Sequence, residues 1–224
     1  MTVLLVLFTL IMFLGVDALV QRSRARRAAA PVRAADIHPY LELPDGIALA
    51  HNHAWTQKGS DGTLAIGLDE FLFRMIGGLD RILVPAVGAE VAPTVSNISL
   101  RSGDHALTLA APVRGTVVAV NTAMLHDPSF YRRSPYESGW LVRVKPSATD
   151  RPGLATMTGK HAMRWLKEQT NIVRDFLNAS YGTLEPATML DGGMPVDGIL
   201  EQCPDAVWQK FQQTFMQLPA ANEK

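Results

Sequence analysis

The sequence predicts a protein of the α+β class that is mainly β, with a small barrel or sandwich at its centre. Three observations support this prediction: many short strand-like segments, Gly, Pro and Asp residues that separate them, and helical patterns at both ends of the chain. With 224 residues, 47% of them apolar, the chain is long enough for one sizeable domain with appendages. We divide it into residues 1–21, 22–46, 47–148 and 149–224.

Residues 1–21 are predicted to form a transmembrane anchor. They are almost entirely apolar from Val3 to Val16, and the apolar character continues past Asp17 to Val20. A helix over positions 3 to 20 would be about 27 Å long, which is enough to cross a somewhat thin bilayer.

Arginines directly after this segment set the predicted orientation. They are Arg22, Arg24, Arg26, Arg27 and Arg33. Positive residues mark the cytoplasmic flank of membrane helices and bind anionic headgroups. The chain is therefore predicted to be a single-pass protein of the inner membrane that contacts membrane lipids, with most of its residues in the cytoplasm. The alternative is export after signal-peptide cleavage near Ala28 to Ala30, although no positive residue precedes the apolar core.

Residues 22–46 are predicted to be a basic linker rich in proline and alanine, because they show no apolar periodicity. The whole chain has 21 basic and 21 acidic residues. Without the five arginines and Asp17, 16 basic and 20 acidic residues remain. The folded part thus lacks the basic surplus that nucleic-acid binding requires, and no nucleic-acid partner is expected.

Residues 47–148 contain the strand-like segments. Asp61 and Gly62 form a hairpin signal between two of them. Apolar residues four positions apart predict a short helix over residues 68–76. The predicted strands that follow are 79–84, 98–101, 106–110, 116–120 and 140–144.

Two helices are predicted in residues 149–224. Thr158 can cap the first, from Gly159 to Leu177, which has one apolar stripe. The second begins at Pro204, a residue that suits the first turn of a helix. On or near one face it carries the aromatic residues Trp208, Phe211 and Phe215. These helices either pack on the barrel or present an aromatic docking face to a partner.

Four stretches between residues 61 and 146 carry a resemblance to a known family. They read DGTLAIGLDEF, VGAEV, LAAPVRGTVVAVN and DPSFYRRSPYESGWLVRVKP. They resemble the H protein of the glycine cleavage system. Upstream, His53 and Trp55 lie where that family has H-E-W, with Ala54 in place of the glutamate. The resemblance implies a flattened, lipoyl-type β-barrel, also called a barrel-sandwich.

The resemblance also implies a lipoyl attachment turn, and here the chain departs from the family. The family carries lipoate on a lysine between two central strands, within a pattern like E-S-V-K-A. The matching residues are Arg101, Ser102, Gly103, Asp104 and His105. A carboxylate cannot form the amide that an amine forms with lipoate, so we predict no bound cofactor. The six lysines of the chain, at positions 58, 145, 160, 167, 210 and 224, lie elsewhere, which also argues against a biotin carrier.

The leading functional hypothesis is a non-catalytic, non-lipoylated adaptor or structural subunit that is anchored in the membrane and docks on a larger protein assembly. The predicted interaction residues are Arg101, Asp104, His105, Trp208, Phe211 and Phe215. One alternative is a lipoyl carrier of the glycine cleavage system, with the arm on another lysine. No P-loop, nucleophile elbow or dinucleotide-binding motif indicates an enzyme.

A further alternative is a metal-binding or enzymatic domain built on His51 and His53. These two residues form an H-x-H pair, whose rings would share one side of a strand. A zinc site needs at least a third ligand, and no other histidine or carboxylate lies at a diagnostic spacing from the pair. No metal site is therefore predicted.

Overall fold

The computed structural model describes residues 43–132, 134–147, 156–181 and 197–216. Residues 1–21, the predicted anchor, lie outside this description, as do the arginines of the predicted membrane flank. The described residues all belong to one compact unit, Tyr40–Lys224.

The described part of the chain contains ten strands, four α-helices and two 3₁₀ helices. The strands are β1 (Ile47–Ala50), β2 (Ala54–Lys58), β3 (Leu64–Leu68), β4 (Arg81–Leu83), β5 (Glu90–Val91), β6 (Ser96–Ser102), β7 (His105–Ala110), β8 (Gly115–Val120), β9 (Trp140–Pro146) and β10 (Thr156–Thr158). The α-helices are α1 (Glu70–Ile76), α2 (Thr122–His126), α3 (Gly159–Tyr181) and α4 (Asp205–Phe215). The 3₁₀ helices are Pro128–Arg132 and Ile199–Gln202.

The strands form two antiparallel sheets, in agreement with the mainly β prediction. The larger sheet has the order β10-β1-β2-β3-β9-β8-β5, and the smaller has the order β4-β6-β7. Consecutive strands β2 and β3 pair through the turn at Asp61 and Gly62, so the predicted hairpin is confirmed. In the smaller sheet β7 is an edge strand, which positions the hairpin β6–β7 at the border of the fold.

Side chains alternate between core and solvent in β7 and β8, as the two-residue period requires, whereas β3 is buried at four successive positions. In β7, Leu107 and Leu109 are buried, whereas Ala106 and Thr108 are exposed. The short helix after β3 begins at Glu70 because Asp69 caps it: the Asp69 carboxylate accepts a hydrogen bond from the backbone N–H of Leu72 at 2.9 Å. This is two residues later than the apolar pattern predicts.

The C-terminal helices pack on the strands, and the aromatic side chains of the predicted docking face are buried. Trp208, Phe211 and Phe215 are only 3%, 0% and 2% exposed. The rings of Phe211 and Phe215 meet Phe176 of α3 edge-on, with centroids 6.0 and 5.5 Å apart. The predicted docking face is therefore wrong, because these side chains fill the space between helices and sheets. The alternative interpretation, in which the helices pack on the barrel, describes the structure.

Strand β10 was missed by the sequence analysis. Its three residues directly precede α3 and pair with β1, with Met157 opposite Leu49. A three-residue segment shows no measurable period, so only the tertiary pairing identifies it as a strand. The segment after residue 148 thus completes the larger sheet.

Candidate functional site

The hairpin β6–β7 ends in the two residues Gly103 and Asp104, which form its tip. Ser102 pairs with His105 directly below them. Gly103 has a φ of +59°, and a two-residue hairpin turn favours glycine for such a left-handed conformation. The backbone N–H of Gly103 donates to the Asp80 carboxylate at 2.7 Å, which fixes the tip to the segment before β4.

Four of the predicted site residues, Arg101, Asp104, His105 and Trp208, lie at or near this end of the hairpin. Arg101 and Asp104 are exposed, whereas Ser102 is buried. His105 is half-buried because its ring stacks on the indole of Trp208, with centroids 4.7 Å apart and an angle of 11° between the planes. The tip itself thus offers a carboxylate to solvent and no amine.

Helix α4 contacts the hairpin through one of its faces. His105 Nδ1 lies 3.1 Å from Asp205 Oδ1. The Gln212 side-chain amide donates to the Thr108 carbonyl at 2.6 Å and accepts from the Thr108 N–H at 2.7 Å. Asp205, Trp208 and Gln212 therefore hold the outer edge of β7, and the sequence pattern gave no signal for Gln212 or Thr108.

The two histidines of the H-x-H pair lie in the turn between β1 and β2, so the prediction that they share one side of a strand is wrong. His53 has a φ of +63° and is fully buried, and its Nδ1 lies 2.7 Å from the Asp69 carboxylate. Its ring stacks on Phe71 at a centroid distance of 4.8 Å. His51 is exposed and meets Trp165 edge-on at 5.8 Å.

No cluster of three His, Cys, Asp or Glu side chains able to hold a metal occurs among the described residues. Asp69 instead has a structural role that sequence reasoning missed, although an aspartate just before a helix is a recognisable capping signal. One of its oxygens caps α1 and the other binds His53, so a single buried carboxylate joins the β1–β2 turn to the helix.

Two buried tyrosines, Tyr131 and Tyr136, lie close to the Asp69 carboxylate. Burial raises the pKa of Tyr131 well above its usual range, and the negative charge that Tyr136 would carry when ionised raises it further. Burial also raises the pKa of Tyr136, and the nearby Asp69 carboxylate adds to the shift. Both phenols therefore stay protonated in the folded chain at pH values where an exposed tyrosine ionises.

These shifts predict a loss of stability at alkaline pH. Above pH 10 the unfolded chain releases the two phenolic protons while the folded chain keeps them, so the free energy of unfolding falls as pH rises. The expected slope is at most about 1.4 kcal/mol per pH unit for each tyrosine, with no tyrosine contribution below about pH 9. Urea unfolding from pH 8 to 11 measures it. In the variant Y136F the free energy of unfolding should fall less steeply with pH. An unchanged slope would contradict the raised pKa of Tyr136.

Comparison with known proteins identifies relatives of the barrel. A family model described as "Glycine cleavage H-protein" matches residues 47–169. A glycine cleavage system H protein of Vibrio cholerae is 32% identical over 104 residues, which cover 46% of this chain and 82% of that protein. One from Nitratidesulfovibrio vulgaris is 36% identical over 109 residues, covering 49% and 85%. A crystal structure of such a protein from Mycobacterium marinum is 26% identical, with a TM-score of 0.47, and covers 57% of this chain and 98% of that one.

The predicted location in the inner membrane is contradicted by these comparisons. The relatives are named as proteins of the glycine cleavage system. In the described part of the chain, no helix combines the length and apolar character that a membrane crossing requires. The single-pass location and the contact with membrane lipids are therefore not retained. The arginines predicted as the membrane flank, Arg22, Arg24, Arg26 and Arg27, lie outside the described residues.

Proposed function

Because the chain belongs to the glycine cleavage H-protein family, we propose that it is a non-catalytic component of a multienzyme assembly of the glycine cleavage type. In this proposal the barrel docks on other subunits of the assembly, and the hairpin β6–β7 carries no lipoyl arm. Membership in the family supports the docking role, since the relatives are named as parts of a system.

The main support for this proposal is the residue at the tip of the hairpin β6–β7, where an aspartate stands in place of a lysine. Family resemblance aligns the lipoyl lysine with Asp104, which stands at the solvent-exposed tip. Lipoate attachment joins an amine to a carboxyl group, and the Asp104 side chain is itself a carboxylate. Arg101 adds a positive charge where the family pattern has an acidic residue. A ligase that recognises this turn would thus meet neither the acceptor nor the charge that it requires.

Arg101, Asp104 and His105 are the proposed docking residues of the hairpin. The first two are exposed with opposite charges, so they favour a partner surface on which charges of both signs lie side by side. His105 is held by its stacking on Trp208 and is therefore a fixed boundary of this surface. Trp208, Phe211 and Phe215 contribute by packing behind it rather than by contact with the partner.

The second candidate function is lipoyl carriage in glycine decarboxylation, and family membership as such agrees better with this function than with an adaptor. An arm would then need a different acceptor. Lys58 is the described lysine closest to a hairpin turn: it ends β2, pairs with Leu64 and is exposed. Lys145 lies within β9 and the other described lysines lie on α3 and α4. Lys224 lies outside the described residues.

Intact mass spectrometry of the full chain separates the two functions. We expect the unmodified mass after co-expression with a lipoate ligase in lipoate-supplemented cells, because the hairpin tip lacks an amine. The matched control is K58R, which keeps the charge at position 58 but removes the acceptor. A lipoyl mass on the native chain that disappears in K58R would establish the carrier function and overturn our proposal.

A further inference from the structure

Two arginines lie directly opposite each other on the outer face of the smaller sheet. In the register of β4 and β6, Arg81 pairs with Arg101 and Ile82 pairs with Leu100. Ile82 and Leu100 are buried in the main core, whereas both arginines are exposed. Side chains of directly opposite residues point to the same face, with Cβ atoms about 5 Å apart. Arg81 and Arg101, here called the arginine pair, therefore present two positive charges at one place.

Neither member of the arginine pair forms an ion pair with an acidic side chain of the described residues. The ion pairs within this part of the chain are formed by other side chains. The carboxylate of Asp80, the residue before Arg81, accepts from the Gly103 N–H. On the third strand of the sheet, the residue opposite Arg101 is the small Ala106. Like charges directly opposite each other destabilise a sheet, so folding alone does not account for the arginine pair.

We propose that the arginine pair is a clamp for a carboxylate of a partner subunit, with one acidic side chain of the partner held between the two guanidinium groups. The inference rests on the proposed docking function and adds Arg81 to its contact residues. A guanidinium group binds a carboxylate through two parallel hydrogen bonds, and its planar donors match that geometry better than a lysine does. The family pattern has an acidic residue at the position of Arg101, so the clamp is a departure from that pattern.

The surroundings of the arginine pair favour an acidic protein side chain over a polyanion. Asp80 directly precedes Arg81 and Asp104 is exposed at the hairpin tip, so both carboxylates repel a chain of phosphates. Without the five N-terminal arginines and Asp17, the chain also carries 20 acidic but only 16 basic residues. Leu83 lies two positions along β4, on the same face as Arg81, and is 44% exposed. A partner protein can cover this leucine with an apolar side chain, whereas a phosphate backbone cannot.

NMR titration of the full chain with a short peptide tests the clamp. The probe is a blocked alanine pentapeptide with glutamate at its second and leucine at its fourth position, at about 10 mM ionic strength, where screening is weak. We expect saturable shifts of the Nε–Hε signals of Arg81 and Arg101, with a Kd at least fivefold lower than for the same peptide with glutamine in place of glutamate. Arg164, exposed on α3, is the internal control and should not follow this curve. Equal binding of the glutamine peptide, or an equal response of Arg164, would refute the clamp.

Variants and further probes identify what the arginine pair binds. R81Q removes one guanidinium group and should weaken binding of the glutamate peptide at least fivefold, whereas the matched control R164Q should leave the Kd unchanged. Tighter binding of a phosphoserine peptide than of the glutamate peptide would assign the pair to phosphate groups and overturn the proposal. Shifts of the same signals with protein concentration alone would assign the surface to a second copy of the chain, with the same consequence.

Urea unfolding measures the repulsion within the arginine pair. R81E places opposite charges in register, so the unfolding equilibrium constant should be about twofold lower than in the native chain. In the R101E background the same change puts two glutamates together and should raise that constant. Equal effects in both backgrounds would show that the arginines do not repel each other. R81Q keeps Asp104, so its intact mass should stay unmodified. Failed peptide binding with an unmodified mass therefore overturns the clamp alone and leaves the proposed function standing.

Discussion

The double variant R101E/D104K is expected to accept a lipoyl group, whereas the native chain is expected to stay unmodified. The hairpin already presents its tip to solvent, and Gly103 supplies the left-handed conformation that the two-residue turn needs. A lysine at position 104 adds the amine, and a glutamate at 101 restores the acidic residue of the family pattern. Intact mass after co-expression with a lipoate ligase measures the change, from none to most of the protein modified.

Single variants separate the need for an amine at position 104 from the need for an acidic residue at position 101. D104K alone has the amine but keeps Arg101, so it should be modified less completely than the double variant. D104N has no amine and should stay unmodified, as should R101E. Both positions are exposed, so these changes should alter the free energy of unfolding by no more than about 0.5 kcal/mol. If R101E/D104K folds and stays unmodified, the assignment of this hairpin as the family's attachment turn loses its support.

Replacement of Asp69 by alanine is expected to cost about 2–4 kcal/mol of stability, because it leaves the buried Nδ1 of His53 without its hydrogen-bond partner. The same change removes the cap of α1, in which Asp69 accepts from the Leu72 N–H. Both side chains of the pair are fully buried, so water cannot replace the lost contact. Urea or guanidinium unfolding at neutral pH measures the difference in the free energy of unfolding.

Two controls identify which contact of Asp69 carries this effect. The first control is D61A. Asp61 also accepts a backbone hydrogen bond, from the Thr63 N–H at 3.0 Å, but it lies in an exposed turn. Its loss should therefore lower the free energy of unfolding much less than D69A does. In the double variant H53A/D69A the unpaired imidazole is gone, so the total loss should be less than the sum of the two single losses. Strict additivity would mean that the 2.7 Å contact contributes no coupling energy.

Much of the barrel could be predicted from sequence because its signals are local. Three of these signals depend on residues within a few positions: the turn at Asp61 and Gly62, the apolar spacing of α1, and Pro204, directly after which α4 begins. The resemblance between residues 61 and 146 rests on specific motifs rather than on general composition. The match of the glycine cleavage H-protein family model to residues 47–169 confirms it. The position of the attachment turn at residues 101–105 rests on the same motifs and stays a prediction.

The remaining features depend on contacts between distant residues. His51 and His53 look like a strand pair in sequence, but the positive φ of His53 turns the chain between β1 and β2. The sequence predicts Trp208 as part of a docking face, but in the structure α4 packs on β7 and the indole of Trp208 stacks on His105. Gln212 and Thr108 are 104 positions apart, so their pairing has no local signal at all.

The pairing of β10 with β1 has a practical consequence for work with shortened chains. Cutting the protein at residue 148, the end suggested by the barrel motifs, would remove β10 and α4 together. Strand β1 and strand β7 would then each expose an unpaired row of backbone groups, one in each sheet. Such open edges promote association between copies. A fragment that ends at residue 148 is therefore expected to aggregate, although it includes all of the barrel motifs.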